Sequence, residues 1–298
     1  MDFIELKDQQ RYGRGYFDKY NNEEDRKSEE SQKNADVLRD MELQKRHEIR
    51  IPENLQGLFT ARFSKTGKFI ATGFGNGAIQ IRNGKTGELT ASLKSGLEIS
   101  MPIMCCRFNP LILEYKKNEE DLIESKATNF HRMRIFASRF HNEYSDLIIT
   151  GGWDDTVRIW DIRVSTGSIR VIKGPHICGD AIDICETRIL TGSWIVRDSL
   201  QIWDLMSAKL IETINPQNRL STLNGEFLYA VQYLDGDPYG DLILTGGSGI
   251  SALEVISLRE KKVMESISVN KPIFTIDSHQ NIIIFGGIES VLRLGDYY

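Results

Sequence analysis

The feature that most constrains this chain is a short hairpin pattern that recurs along it. Residues 146–163 read Asp-Leu-Ile-Ile-Thr-Gly-Gly-Trp-Asp-Asp-Thr-Val-Arg-Ile-Trp-Asp-Ile-Arg. The apolar run at 147–150 is the mark of a strand buried on both faces. Gly151 to Asp155 carry turn chemistry, because Gly accepts positive φ and Asp can bond its own backbone. Residues 156–160 then alternate, with Val157 and Ile159 opposite Thr156, Arg158 and Trp160. A hairpin of this kind cannot bury both faces by itself, so its significance depends on whether the chain repeats it.

Four further copies follow the same layout, at 70–83, 189–204, 243–257 and 283–296. Thr72, Thr150, Thr191 and Thr245 share one repeat position, which Phe285 takes in the last copy. Self-similarity at roughly 40 residues, with Gly before the turn and Trp-Asp after it, points to four-stranded propeller blades. On these residues the sequence resembles the WD-repeat β-propeller family. The Trp-Asp pair is present in full at Trp160-Asp161 and Trp203-Asp204, while Arg82-Asn83 stands in its place in the first copy. The resemblance implies an all-β propeller of five or six blades.

The count turns on residues 97–145. Residues 103–110 and 134–140 both read as innermost strands. From Arg82 to Trp160 is 78 positions, two ordinary repeats, against 43 from Trp160 to Trp203. Yet 111–133 has no Gly and no Thr-Gly turn, and 114–125 is charged and helix-compatible. One blade with a long insertion near 111–133 gives five blades, and one degenerate blade gives six. Both fall below the seven usual in the family, which leaves an open ring, or a blade lent by a partner chain, as alternatives. The last repeat ends without an outer strand. In WD-repeat propellers an N-terminal strand commonly closes that blade, and Ile49 and Ile51 are the expected contributors, removing an exposed edge. The propeller is thus expected over 47–298. Residues 1–46 form a charged arm, helix-prone or disordered, whose apolar stripe (Ala35, Val37, Leu38, Met41 and Leu43) suits an additional contact with a partner.

Composition narrows the function. Acidic residues outnumber Lys and Arg by 42 to 37, a net charge of −5. That balance gives no basic stripe for nucleic acid. No apolar run approaches the roughly 18 residues a membrane helix needs, and no secretory signal is read at the N-terminus. Cys105, Cys106, Cys178 and Cys185 lack metal-ligand spacing and read as reduced thiols, so a cytoplasmic location, ciliary or cytoskeletal in one reading, is expected, with the nucleus an alternative. His47, His131, His141, His176 and His279 form no metal-binding pattern, and no nucleophile elbow is present. Gly73-Phe-Gly-Asn-Gly77 joins two strands and reads as a hairpin turn, not a phosphate cradle. No enzyme, cofactor or metal is expected.

In the resembled family, a Trp of the third strand, a Ser or Thr of the second, a His before the first and a turn Asp form a buried polar network. Carried over, these are Trp160 and Thr150 with Asp154 or Asp155 (Asp155 favoured), the His missing from 95–100, and Trp203, Thr191, Asp198 and His176. Their expected role is structural, since buried polar groups need partners. Partner binding is expected instead at Trp153 and Trp194, each three residues past the repeat threonine and so on one rim, where Trp is a frequent anchor. The function expected is a non-enzymatic scaffold that holds proteins in a larger assembly, a ciliary or microtubule-associated one by family analogy. The alternative is a substrate receptor of a cullin-RING ubiquitin ligase, because Trp160-Asp161-Ile162-Arg163 resembles the motif that docks on the adaptor, with Asp161 and Arg163 in contact.

Overall fold

A computed structural model describes residues 43–96, 101–108, 130–144, 146–164, 167–219, 225–250, 252–289 and 291–297. The arm before Leu43 and most of the expected insertion near 111–133 lie outside the described residues. Apart from a 3-10 turn at Glu53–Leu55, the regular structure among the described residues is β.

Twenty strands form five antiparallel four-stranded sheets. The first blade holds β2 (Leu58–Phe63), β3 (Phe69–Phe74), β4 (Ile79–Asn83) and β5 (Leu89–Lys94). The second holds β6 (Ile135–Phe140), β7 (Leu147–Gly152), β8 (Thr156–Asp161) and β9 (Arg170–Lys173). The third holds β10 (Ile182–Cys185), β11 (Arg188–Gly192), β12 (Leu200–Asp204) and β13 (Leu210–Thr213). The fourth holds β14 (Leu228–Tyr233), β15 (Leu242–Gly247), β16 (Ala252–Ser257) and β17 (Lys262–Ser268). The fifth combines β18 (Ile273–His279), β19 (Ile282–Gly287) and β20 (Val291–Tyr297) with β1 (Leu43–Arg50). β1 pairs antiparallel with β20, setting Ile49 opposite Leu292, so the N-terminal strand closes the last blade. It begins at Leu43, inside the stretch expected to belong to the arm.

Blade contacts explain the repeat glycine. A Cβ on Gly246 would stand 2.8 Å from Ile273, one on Gly286 2.6 Å from Leu58, and one on Gly73 2.5 Å from Ile103. Each glycine receives the first apolar side chain of the next innermost segment, and a larger residue would collide with it. The same contacts show what residues 103–108 are. Ile103 seats on Gly73 as Leu58 does on Gly286. The Cys106 N–H donates to Thr60 Oγ1 at 3.3 Å, as the Ala61 N–H donates to Thr275 Oγ1 at 2.8 Å. On its other side Cys105 Sγ lies 3.5 Å from Ser138 Oγ on β6. This extended segment therefore takes the place of an innermost strand between the first and second blades. Five blades are four-stranded, and among the described residues a sixth position holds this segment alone.

Apolar clusters weld three of the other junctions. Leu292 and Leu294 of the fifth blade pack with Leu58 and Ile70 of the first. Ile149, Val157 and Ile159 of the second pack with Ile177, Ile182 and Ile189 leading into and within the third. Leu200 and Ile202 of the third pack with Leu228, Val231 and Ile243 of the fourth. Full burial of one such side chain contributes about 1.5–3 kcal/mol.

Candidate interaction surface

The second blade carries a complete polar network. The Trp160 indole donates to Thr150 Oγ1 at 2.7 Å, and His131 Nε2 lies 2.7 Å from the same oxygen. His131 Nδ1 lies 2.9 Å from Asp154 Oδ1, which also accepts from Thr156 Oγ1 at 2.8 Å. An ionised carboxylate only accepts, so a neutral ring here carries its proton on Nδ1 and accepts the Thr150 hydroxyl at Nε2. Burial pushes the Asp154 pKa up, but the Arg132 N–H, His131 and Thr156 outweigh it and hold the carboxyl below its ordinary range.

This corrects the sequence reading in three respects. The histidine expected to be missing is His131, just ahead of β6, reached by the chain after residues 109–129 rather than near 95–100. The turn acid in the network is Asp154. Asp155 occupies the left-handed turn position at φ 54°, and its outward carboxylate lies 2.6 Å from His176 Nδ1. In the third blade Trp203 donates to Thr191 Oγ1 at 3.0 Å, but Thr191 passes its own proton to the Gln201 carbonyl at 3.4 Å. Asp198, also left-handed at φ 55°, accepts from Asn215 Nδ2 at 3.2 Å. His176 and Asp198 thus stand outside that pair, since a turn that needs positive φ aims its Asp away from the blade.

Trp153 and Trp194 lie on one face, at the turns between second and third strands. Each is 38% exposed, so each is partly packed and partly presented. The Trp153 indole donates to Cys178 Sγ at 3.0 Å, stacks 5.1 Å from Phe136, and has the Arg134 guanidinium over it at 5.9 Å. Trp194 lies 4.9 Å from Phe227 and 6.3 Å from Tyr229, ring centre to ring centre. Tyr229 meets Phe274 edge-on at 5.0 Å, and Phe274 meets Phe59 at 5.2 Å. Phe59, Phe136, Tyr229 and Phe274 all hold the second position of an innermost segment. The two tryptophans are therefore the outer members of an aromatic arc running over all five blades, with Cys178 standing between Trp153 and Tyr229. Sequence reasoning found the tryptophans and missed the arc. Its signal was the aromatic recurring at that one position.

The opposite face is ionic. Arg163 folds back on Asp161, with Nε 2.8 Å from Oδ1 and Nη2 2.6 Å from Oδ2, which holds the Asp161 carboxyl below its usual range. At the axis a cavity of about 720 Å³ opens among the ends of the innermost segments. Arg62, Arg107, Arg139, Asp183, Gln232 and Asp277 occupy equivalent positions around it. Buried Asp180 pairs with both Arg62 and Arg107, the latter at 2.9 Å through Nη1. Arg139 pairs with Asp183 at 2.8 Å. Asp183 accepts the Tyr233 N–H at 2.9 Å, and Asp277 accepts Gln232 Nε2 at 2.7 Å. The signal was in the sequence as Arg62-Phe63, Arg107-Phe108 and Arg139-Phe140 ending three such segments. These carboxylates are paired with arginines, with Gln232 and with backbone donors, and the cluster reads as a structural clamp. Among the described residues no group of three or more His, Cys, Asp or Glu could hold a metal ion.

The model of the WD domain, G-beta repeat, matches residues 131–161, the span from His131 to Asp161. No curated protein matches the sequence. Among solved structures, the WD40 β-propeller domain of Doa1 is similar at 14% identity and a TM-score of 0.46, over 79% of this chain and 62% of that one. Over its described residues the chain is an all-β propeller with five four-stranded blades; it resembles the WD-repeat family and carries one matched WD40 repeat, in its second blade.

Proposed function

We propose that this chain is a non-enzymatic scaffold that docks a partner protein on its aromatic face within a multi-subunit assembly. One observation carries the reading: the arc from Trp153 through Tyr229 to Phe59 presents large, partly exposed rings on one face of a rigid support. Rings of this kind lose little side-chain entropy on binding and dominate interface energetics. On the ionic face the axial charges are paired with one another. In Trp153→Ala and Trp194→Ala, partner capture by the full chain is expected to fall at least about 30-fold, the weight of a hot-spot residue. The thermal midpoint should move by only a few degrees, as each indole is already part-solvated. Unchanged capture alongside a large loss of stability would assign both residues to packing.

A second reading rests on Arg163, whose side chain is 54% exposed. If Trp160-Asp161-Ile162-Arg163 docks on a cullin-RING adaptor, Arg163 must exchange Asp161 for a partner group, and co-purification of the adaptor should be lost on Arg163→Ala. The ciliary or microtubule-associated assembly is carried over by family analogy. Affinity purification of the intact chain beside one lacking residues 1–42, which spares the closing strand, tests it.

A further inference from the structure

The junction between the first and second blades differs from the others position by position. Leu200, Val157, Leu253 and Leu292 share one site on their third strands and are fully buried, whereas Ile79 at that site is part-exposed. One turn of alternation on, Ile159, Val255 and Leu294 are fully buried and Ile202 nearly so, whereas Ile81 is part-exposed. Leu93, in the bulge beside Ile79, is 66% exposed, and Ile172, opposite Val157, is 1% exposed. The second blade mirrors this on its facing side. Ile70, Ile189, Ile243 and Ile283 are buried, but their equivalent Ile148 is part-exposed. Ile135 is 49% exposed where Leu58 and Ile273 are buried on a neighbour's repeat glycine.

Among the described residues these make two apolar walls facing a slot whose axial side is the lone segment 103–108. The slot lies where the second, third and fourth strands of a sixth blade would stand. The chain is short of residues to build all three. Between equivalent innermost positions the spacing is 45 from Ala61 to Cys106, 44 from Ser138 to Ile182, 49 from Ile182 to Val231 and 45 from Val231 to Ile276. From Cys106 to Ser138 it is 32. The deficit exceeds a strand of about 5–6 residues with its turn.

We propose that this slot binds a β-strand or hairpin of another protein, which completes the sixth blade between the first and second. The fitting segment alternates apolar and polar residues. Its apolar side chains meet Ile79, Ile81 and Leu93 on one wall and Ile135 and Ile148 on the other, and its backbone extends a sheet begun by 103–108, the mode of strand addition. One of its residues facing Ile135 is small, as glycine is at every other junction that takes this side chain. This site is independent of the aromatic face.

The test uses the full chain and a synthetic peptide of residues 147–161, the chain's own best-formed blade hairpin, followed by hydrogen exchange. With peptide, amides of 103–108 are expected to slow at least about tenfold. Ile81→Glu should abolish the effect without lowering the thermal midpoint, and Trp153→Ala should leave it intact, which separates this site from the aromatic one. No slowing on peptide addition would overturn the proposal. So would strong protection of 103–108 in the free chain, which would mean that the chain fills its own slot, or peptide-independent dimers that protect it.

Discussion

The junctions of this propeller are held in two different ways. Where the fifth blade meets the first, the second meets the third, and the third meets the fourth, aliphatic side chains from both sheets interlock in a dry cluster. Between the first and second blades the equivalent side chains are part-exposed, and the ring is joined near its axis by charge. Arg62 on β2 and Arg107 on the lone segment both reach Asp180, ahead of β10, while Arg139 on β6 takes Asp183. Among the described residues, a single extended segment spans a blade position where the other positions hold four strands. An ion cluster can bridge the axis of a ring, but it leaves the flanking walls open.

That difference predicts an order of effects. The largest is expected at the clamp. Asp180→Ala strands two buried guanidinium groups, and removal of one partner from a buried pair costs about 3–5 kcal/mol. Urea unfolding would measure the loss, and a cost below about 1 kcal/mol would show that the clamp holds nothing. A smaller effect is expected within the second blade. His131→Ala leaves Thr150 and Asp154 short of partners at a cost of about 1–3 kcal/mol, whereas His176→Ala removes an exposed pair worth at most about 1 kcal/mol. Equal losses would reverse the network assignment.

The smallest is a dependence on pH. Asp154 is held below its ordinary pKa of 3.8 when folded. Its stabilisation is therefore fully present above the unfolded pKa and is lost as pH falls through the lower folded value. Urea midpoints followed from pH 6 to pH 2 should fall less steeply for Asp154→Asn than for the parent.

The sequence made the repeat legible because the repeat has local chemistry. Thr-Gly before a left-handed turn, and Trp-Asp after it, are fixed by strand pairing and by the seat that the glycine offers the next blade. The same logic found the strand that closes the last blade, since Ile49 and Ile51 alternate immediately before the first copy. Two things were hidden because they depend on what lies across space. His131 stands 19 residues before Thr150 but was sought before 103–108, a segment that starts a blade the described residues do not continue. The exposure of Ile79, Ile81 and Ile148 could not be read from residues that match the buried positions of every other blade. A hydrophobic pattern says which face wants a neighbour, and only the assembled ring says whether the neighbour is there.

The most direct test compares two equivalent side chains, one at an open junction and one at a closed junction. In the full chain, Ile81→Cys and Ile159→Cys would be alkylated separately under native conditions and followed by peptide mass spectrometry. Cys at 81 should react within the time of an exposed thiol, while Cys at 159 should react only as fast as the protein unfolds. Equal, unfolding-limited rates at both positions would contradict the account, because they would mean that the first and second blades are joined by a closed core like the rest.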